Sequence, residues 1–449
     1  MRPHLKSLLI LLATMPAPAW AFGLLDGFRL AQRNDPLYQA ARAERDAGQA
    51  NYTIGRSQLL PMVSANTSRS KVNGEREIGG TTSDLDYQSR STVLQLRQPL
   101  FNMERMAEYR QGKARAEYSQ SVFDKKEKDL AVRYVTAYLE VLLAEQTIAL
   151  IDAKLGALKE THIQAKRQYE RGDGTVIDMR EAEARMAIAE AQRFETRDQY
   201  AMAERTLASI TGETPQWLSE PGKGIGTFLE TTGSLPDWLA EANRNSPDIA
   251  AAQKKVDIAM QELKKARAGH YPTVDFIASH NRNRSDTVTT INQKNTLNTV
   301  GLQLSFPIFS GGYVNATVEQ AASSLAQATA EFDHTRRQTE LEVSRQFYGI
   351  NNGASKVAAQ QQAVIASQDA LKATQMGVIS GIRTATDVLN AEEQLYQARH
   401  DLAQAGYEQL VSWVGLRAST GLLSEADIIL LDQAFVVRSC PPSKCMLRR

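Results

Sequence analysis

The chain is poor in cysteine, and the two it has, Cys440 and Cys445, stand near the C-terminus. No disulfide framework can therefore organise the fold, although in an oxidising compartment this pair could close a small loop. Neither charge sign is in excess, with 52 Lys plus Arg against 51 Asp plus Glu, which excludes a global basic field for nucleic acid. No stretch after the N-terminus reaches 18 consecutive apolar residues, so no membrane-spanning helix is expected in the mature chain. That leaves a periplasmic protein, a secreted one, or a β-barrel, whose alternating strands evade hydropathy.

Chemistry-bearing motifs are also missing. Beyond His4, the histidines His162, His270, His280, His334 and His400 share no metal-ligand spacing. No Gly-x-Ser-x-Gly occurs. Gly311-Gly312 lacks the third Gly and the Lys of a nucleotide loop and reads as a turn. Neither an enzyme nor a cofactor is implied.

The N-terminus does carry a signal. Arg2 and Lys6 precede a short apolar run from Leu8 to Met15, and Ala19-Trp20-Ala21 offers a small-x-small cleavage site. Residues 1–21 read as a secretory signal peptide. Its removal takes the formal net charge from +1 to −1.

Proline is absent between Pro99 and Pro215 and again between Pro307 and Pro441. An interior proline costs a helix ~3 kcal/mol, so both stretches permit very long helices. Their Ala, Glu, Gln, Arg and Leu content favours them. Apolar residues recur at helical spacing, as at Val135, Tyr138 and Leu142, or Val318, Ala322, Leu325 and Phe332.

The two stretches belong to two copies of one unit. Asn34-Asp35-Pro36 matches Asn245-Ser246-Pro247 at an offset of 211, as Leu60-Pro61 matches Tyr271-Pro272. Leu94-Gln95-Leu96 matches Leu302-Gln303-Leu304 at 208, and Thr211-Gly212 matches Thr420-Gly421 at 209. The chain thus divides into a first repeat (22–212), a linker (213–235), a second repeat (236–421) and a C-terminal segment (422–449). Within each repeat the pattern predicts an amphipathic helix (24–58, 236–268), a strand (62–72, 273–283), a polar loop (73–89, 284–295) and a second strand (90–101, 296–309). A helix of about 69 or 66 residues follows (102–170, 313–378), spanning on the order of 100 Å. A last helix returns (175–210, 384–419).

The strands have a period of two. Val300, Leu302, Leu304 and Phe306 alternate with Gly301, Gln303 and Ser305, so one face suits lipid and the other water. Four strands cannot close a barrel, and an open edge does not survive in lipid. A helical rod of ~100 Å likewise has more apolar stripe than one thin hairpin buries. Both elements demand a symmetric oligomer.

At the reversals, Gly172-Asp173-Gly174 and Gly377 with Gly381 permit the positive φ of a turn. Thr175-x-x-Asp178 and Thr384-x-x-Asp387 then read as capping boxes opening the return helices.

Taken together, these features resemble the TolC family of outer-membrane channel-tunnels. Local phrases agree: Gln98-Pro99-Leu100-Phe101, Phe306-Pro307-Ile308-Phe309-Ser310-Gly311-Gly312, Ile210-Thr211-Gly212, and Asp387-Val388-Leu389 followed by Ala391-Glu392. Asn34-Asp35-Pro36, Gly55-Arg56-Ser57-Gln58-Leu59-Leu60-Pro61 and Tyr169-Glu170-Arg171-Gly172-Asp173-Gly174-Thr175 are most similar to the outer-membrane components of type I systems secreting alkaline proteases and lipases. The resemblance implies an α+β membrane protein: a homotrimer whose four strands per chain make a twelve-stranded β-barrel in outer-membrane lipid, continued by a coiled-coil tunnel through the periplasm. Residues 213–235 and 420–437 would form a belt around it. It further implies an inner-membrane ABC exporter and a periplasmic adaptor as partners, and a secreted protein as cargo. A multidrug efflux channel and a soluble periplasmic coiled-coil adaptor are the alternatives. Arg383 and Asp387 fall where the family carries its gating arginine and first ring of tunnel aspartates, and Asp178 where the first repeat supplies a partner. Asn390 replaces the second aspartate ring, and Val378 the gating tyrosine.

Overall fold

In a computed structural model, residues 23–172, 174–214, 218–222, 233–287 and 290–436 are described, with backbone only for 285–287 and 290–292. The signal-peptide segment 1–21 and the pair Cys440 and Cys445 lie outside them.

The first repeat opens on α1 (Leu24–Asn34) and α2 (Pro36–Ser57). The sequence pattern predicts one helix here, but Pro36 cannot continue α1 and instead starts α2. Asp35 caps the new helix, accepting from the Tyr38 N–H at 2.6 Å. The second repeat breaks at the same place, between α5 (Leu235–Asn245) and α6 (Pro247–Ala268). The long helices are α3 (Met103–Arg171) and α7 (Tyr313–Ile379). The return helices are α4 (Val176–Thr211) and α8 (Ala385–Ser419).

Strands β1 (Met62–Ile78) and β2 (Thr81–Phe101) belong to the first repeat, β4 (Thr273–Thr287) and β5 (Thr290–Ser305) to the second. They form one antiparallel sheet in the order β1-β2-β4-β5. This corrects the sequence reading. Residues 73–78 and 81–89 form no loop: pairing runs unbroken from Met62↔Arg97 to Ile78↔Thr81. Gly79 and Gly80, at φ 58° and 83°, make the two-residue turn that type I′ hairpins require. Residues 284–287 and 290–295 are likewise strand. Apart from Ile78, Leu85 and Tyr87 the described side chains of these tips are polar or Gly, so apolar alternation is too sparse to announce them. At its other end the second strand stops at Ser305, short of the expected 309.

The sheet is curled. From Leu85 to Leu94 odd residues are half-buried and even ones exposed, and β4 alternates in the same sense from Ser279 to Arg284. With nothing packed on either side, that difference makes the odd face concave. Asp275 on the concave face is 3% exposed and accepts from Arg97 Nη2 at 2.6 Å, tying the two repeats together near the helical end.

The main core lies where α1, α3, α4, α7 and α8 meet α9 (Glu425–Ala434). Tyr134 and Tyr138, both fully buried, donate hydroxyls to the Leu24 and Ser219 carbonyls at 2.8 and 3.0 Å. Burial raises both phenols well above their ordinary pKa, holding them as neutral donors. Strands β3 (Glu220–Pro221) and β6 (Phe435–Val436) pair beside this core, bringing together the segments that follow the two repeats. A smaller core of Ile151, Leu155, Leu158, Ala182, Ala189 and Leu389 joins α3, α4 and α8 further along.

Candidate functional site at the helix turns

Both long helices reverse at the end remote from the sheet. Gly172, at φ 81°, ends α3 with its N–H on the Gln168 and Tyr169 carbonyls. A Cβ on Gly174 would meet Gln168 Cβ at 2.9 Å and the Tyr169 nitrogen at 3.1 Å, so no side chain fits this turn. The second reversal uses Gly381 at φ 71°. Gly377 sits inside α7 and serves differently. Its carbonyl accepts from the Ile382 and Arg383 N–H groups at 2.9 and 3.2 Å. A Cβ there would strike Arg383 Cγ at 2.7 Å, so the missing side chain lets the Arg383 stem cross the helix end.

Each return helix opens with a reciprocal capping box. The Asp178 N–H donates to Thr175 Oγ1 at 3.2 Å, and the Thr175 hydroxyl to Asp178 Oδ2 at 2.6 Å. The Asp387 N–H donates to Thr384 Oγ1 at 3.3 Å, while Thr384 N–H and hydroxyl reach Asp387 Oδ2 at 2.9 and 3.0 Å. Those donors, the backbone N–H first, and the nearby Arg383 charge hold Asp387 below the usual carboxylate range. Within one protomer no ion pair joins Arg383 to Asp178 or Asp387.

The link that crosses between the repeats uses other residues. Thr386 on α8 donates its hydroxyl to Glu181 Oε2 on α4 at 2.8 Å. Arg185 Nη2 donates to Glu181 Oε1 and to Asn390 Oδ1, each at 2.8 Å. Two turns further, Lys154 pairs with Glu393 at 2.5 Å and stands 4.7 Å above the Tyr396 ring. Sequence reasoning singled out Asn390 as a departure and missed Glu181, Arg185 and Thr386. The signal was in the duplication: the offset of 209 that relates Thr175 to Thr384 also makes Glu181 equivalent to Asn390.

At the opposite end, Val300, Leu302 and Leu304 line the convex side of β5 at 71, 69 and 69% exposure, and Phe306 follows the strand at 60%. These residues and the turn cluster bracket the length of the molecule.

The duplication also appears in the comparison with known proteins. The profile of the outer membrane efflux protein family matches residues 28–213 and 238–422, once for each repeat. The chain belongs to this family. It is 37% identical to the proteases secretion protein PrtF of Dickeya chrysanthemi, over 97% of this chain and 96% of that protein. It is 35% identical to the alkaline protease secretion protein AprF of Pseudomonas aeruginosa (94% and 89%), and 27% identical to the outer membrane protein TolC of Escherichia coli (92% and 85%). Among solved structures, a membrane protein from Pseudomonas aeruginosa matches with TM-score 0.78 at 18% identity, covering 88% of this chain and 90% of that one. The CmeC outer membrane channel of Campylobacter jejuni matches with TM-score 0.78 at 15% identity, covering 92% and 90%. This efflux-family protein is therefore an outer-membrane channel protein of TolC type that extends into the periplasm. Its relatives are channels and secretion proteins.

Proposed function

We propose that this chain is the outer-membrane duct of a type I secretion system. It passes an unfolded protein of the protease or lipase class from an inner-membrane ABC exporter and a periplasmic adaptor to the exterior. The observation that carries this reading is the full-length similarity to PrtF and AprF, named for protease secretion, which exceeds that to TolC. The physical argument for a trimer is the sheet. It has two open edges, β1 and β5, and unpaired edges are not tolerated in lipid. Three copies make a closed twelve-stranded barrel with Val300, Leu302, Leu304 and Phe306 toward lipid and a largely uncharged concave lumen.

In the closed duct the helix turns are the periplasmic mouth. Asp387 repeated three times about the axis forms a ring of like charge that attracts cations. Arg383, which makes no ion pair among the described residues of its own chain, reaches an acid of the next, with Asp178 the candidate. Asn390 leaves the second ring uncharged and serves Arg185 instead.

The test is reconstitution of secretion. A Gram-negative host lacking its own duct receives a protease exporter and adaptor of the PrtF or AprF type with or without this chain. Protease in the medium only when the chain is present supports the proposal. Restored drug resistance without protease export would assign the duct to efflux.

A further inference from the structure

One transverse row of the sheet is entirely cationic. Arg69 lies directly opposite Arg90, Arg90 opposite Arg284, and Arg284 opposite Lys294, so each of the four strands contributes one positive charge at the same height. All four are exposed on the convex face. Arg282 lies one pair below on the same face, and Lys71 one pair above, where Asp86 reaches it at 3.4 Å. Among the described residues no acid pairs with Arg69, Arg90, Arg282, Arg284 or Lys294; Arg69 donates only to the neutral Gln88. Among the described side chains, the acids of this face, Asp86, Glu75, Asp84 and Glu77, lie farther toward the Gly79-Gly80 turn. On the concave face the neighbouring row is Ser68, Ser91, Asn283 and Asn295, wholly uncharged.

Like charges directly opposite each other, with Cβ atoms ~5 Å apart, destabilise a sheet. Four in succession need an anion from outside the chain. Position identifies its source. Leu304 and Lys294 are ten residues apart on β5. At ~3.3 Å per residue and a strand tilt of ~40°, that is about 25 Å along the membrane normal, the height of a barrel's lipid-facing band. The helices leave the sheet at the Leu304 end, so the row marks the far boundary, in the outer leaflet. We propose that Arg69, Arg90, Arg284 and Lys294 form a binding row for the phosphorylated headgroup of an outer-leaflet lipid. Three planar guanidinium forks suit phosphate oxygens bidentately, and Lys294 adds a point charge. Because the charge is confined to the convex face, the row serves the membrane and leaves cargo untouched. It holds whatever the duct exports.

The trimer in neutral detergent is titrated with diphosphorylated lipid A, with its dephosphorylated form and with sodium phosphate, and bound lipid is counted by native mass spectrometry. The wild type should prefer the diphosphorylated lipid by about tenfold or more, as charge-assisted bidentate pairs imply. The double variant Arg90→Gln with Arg284→Gln should lose that preference, and Arg90→Lys with Arg284→Lys should keep most of it. Equal retention of both lipids by the wild type would overturn the proposal, as would an unchanged preference in the glutamine variant. Free phosphate competing as well as the lipid would make this an inorganic anion site and overturn the lipid assignment. Should the glutamine variant not assemble, the wild type decides: preference must fall steeply between about 50 and 500 mM salt, and a salt-independent preference refutes the row.

Discussion

Glu181 and Asn390 are the same position in the two repeats, and Arg185 holds both, at 2.8 Å each. With Thr386 on the other Glu181 oxygen, this is a latch between α4 (first repeat) and α8 (second repeat) within one chain. A mouth that widens by moving one helix pair past the other must break it.

Arg185→Ala tests that step. The bonds are partly exposed, so their joint net worth is ~1 kcal/mol, which shifts a closed–open equilibrium by about fivefold. Open probability in planar bilayers should rise by that order, with trimer migration on unheated gels unchanged. Wild-type gating in Arg185→Ala would reduce the network to surface decoration.

Asp387 separates capping from gating. Thr384→Ala removes a cap and should cost ~0.5–2 kcal/mol of local stability. Asp387→Ala should also abolish most of the block that multivalent cations impose from the periplasmic side. Arg383→Ser should raise conductance without loss of trimer. If both variants keep wild-type conductance and block, these residues only terminate helices.

Strand register is checked by neighbours. Leu304 is on the convex face and Gln303 on the concave one. Leu304 edges the lipid-facing band, and by the same alternation Val300, near the middle of the band, is convex and Thr299 concave. A cation at the midplane of the lipid face costs ~2–4 kcal/mol, so Val300→Arg should reduce folded trimer in the membrane fraction far more than Thr299→Arg. Equal losses would mean that these two faces do not divide lipid from lumen.

Much of this architecture was legible in sequence because it rests on local rules. Thr175 with Asp178, and Thr384 with Asp387, are capping boxes at fixed spacing, and the structure forms both. The proline-free stretches became α3 and α7 almost to the residue. Two things escaped. The strand tips are mostly polar or Gly, with only Ile78, Leu85 and Tyr87 apolar among their described side chains, so a period of two in hydropathy is too faint to read where the backbone still pairs. The Glu181–Arg185–Asn390 latch depends on how α4 and α8 cross, which spacing within either helix does not encode. The helix break at Pro36 was available from proline chemistry and was outweighed by amphipathic continuity across it.

Acid should open the latch, and the sign follows from Glu181. The Thr386 hydroxyl, then Arg185, depress its pKa below the ordinary glutamate value, against desolvation and the like charge of Asp178. A depressed folded-state pKa means that the bond contributes fully above the unfolded value of ~4.3 and is lost as pH falls through the lower one. Asp387 is shifted in the same direction by its cap, so it adds to the effect at acid pH and not near neutrality. Neither group titrates between pH 5 and 8, where gating should be flat with respect to both. Below about pH 4, open probability should climb. Glu181→Gln keeps an acceptor for Thr386 but removes the charge that holds Arg185. At pH 7 it should therefore gate as the wild type does in acid, and further acidification should add little. Wild-type opening at low pH that persists in full in Glu181→Gln would place the proton elsewhere, with Asp387 the next residue to substitute.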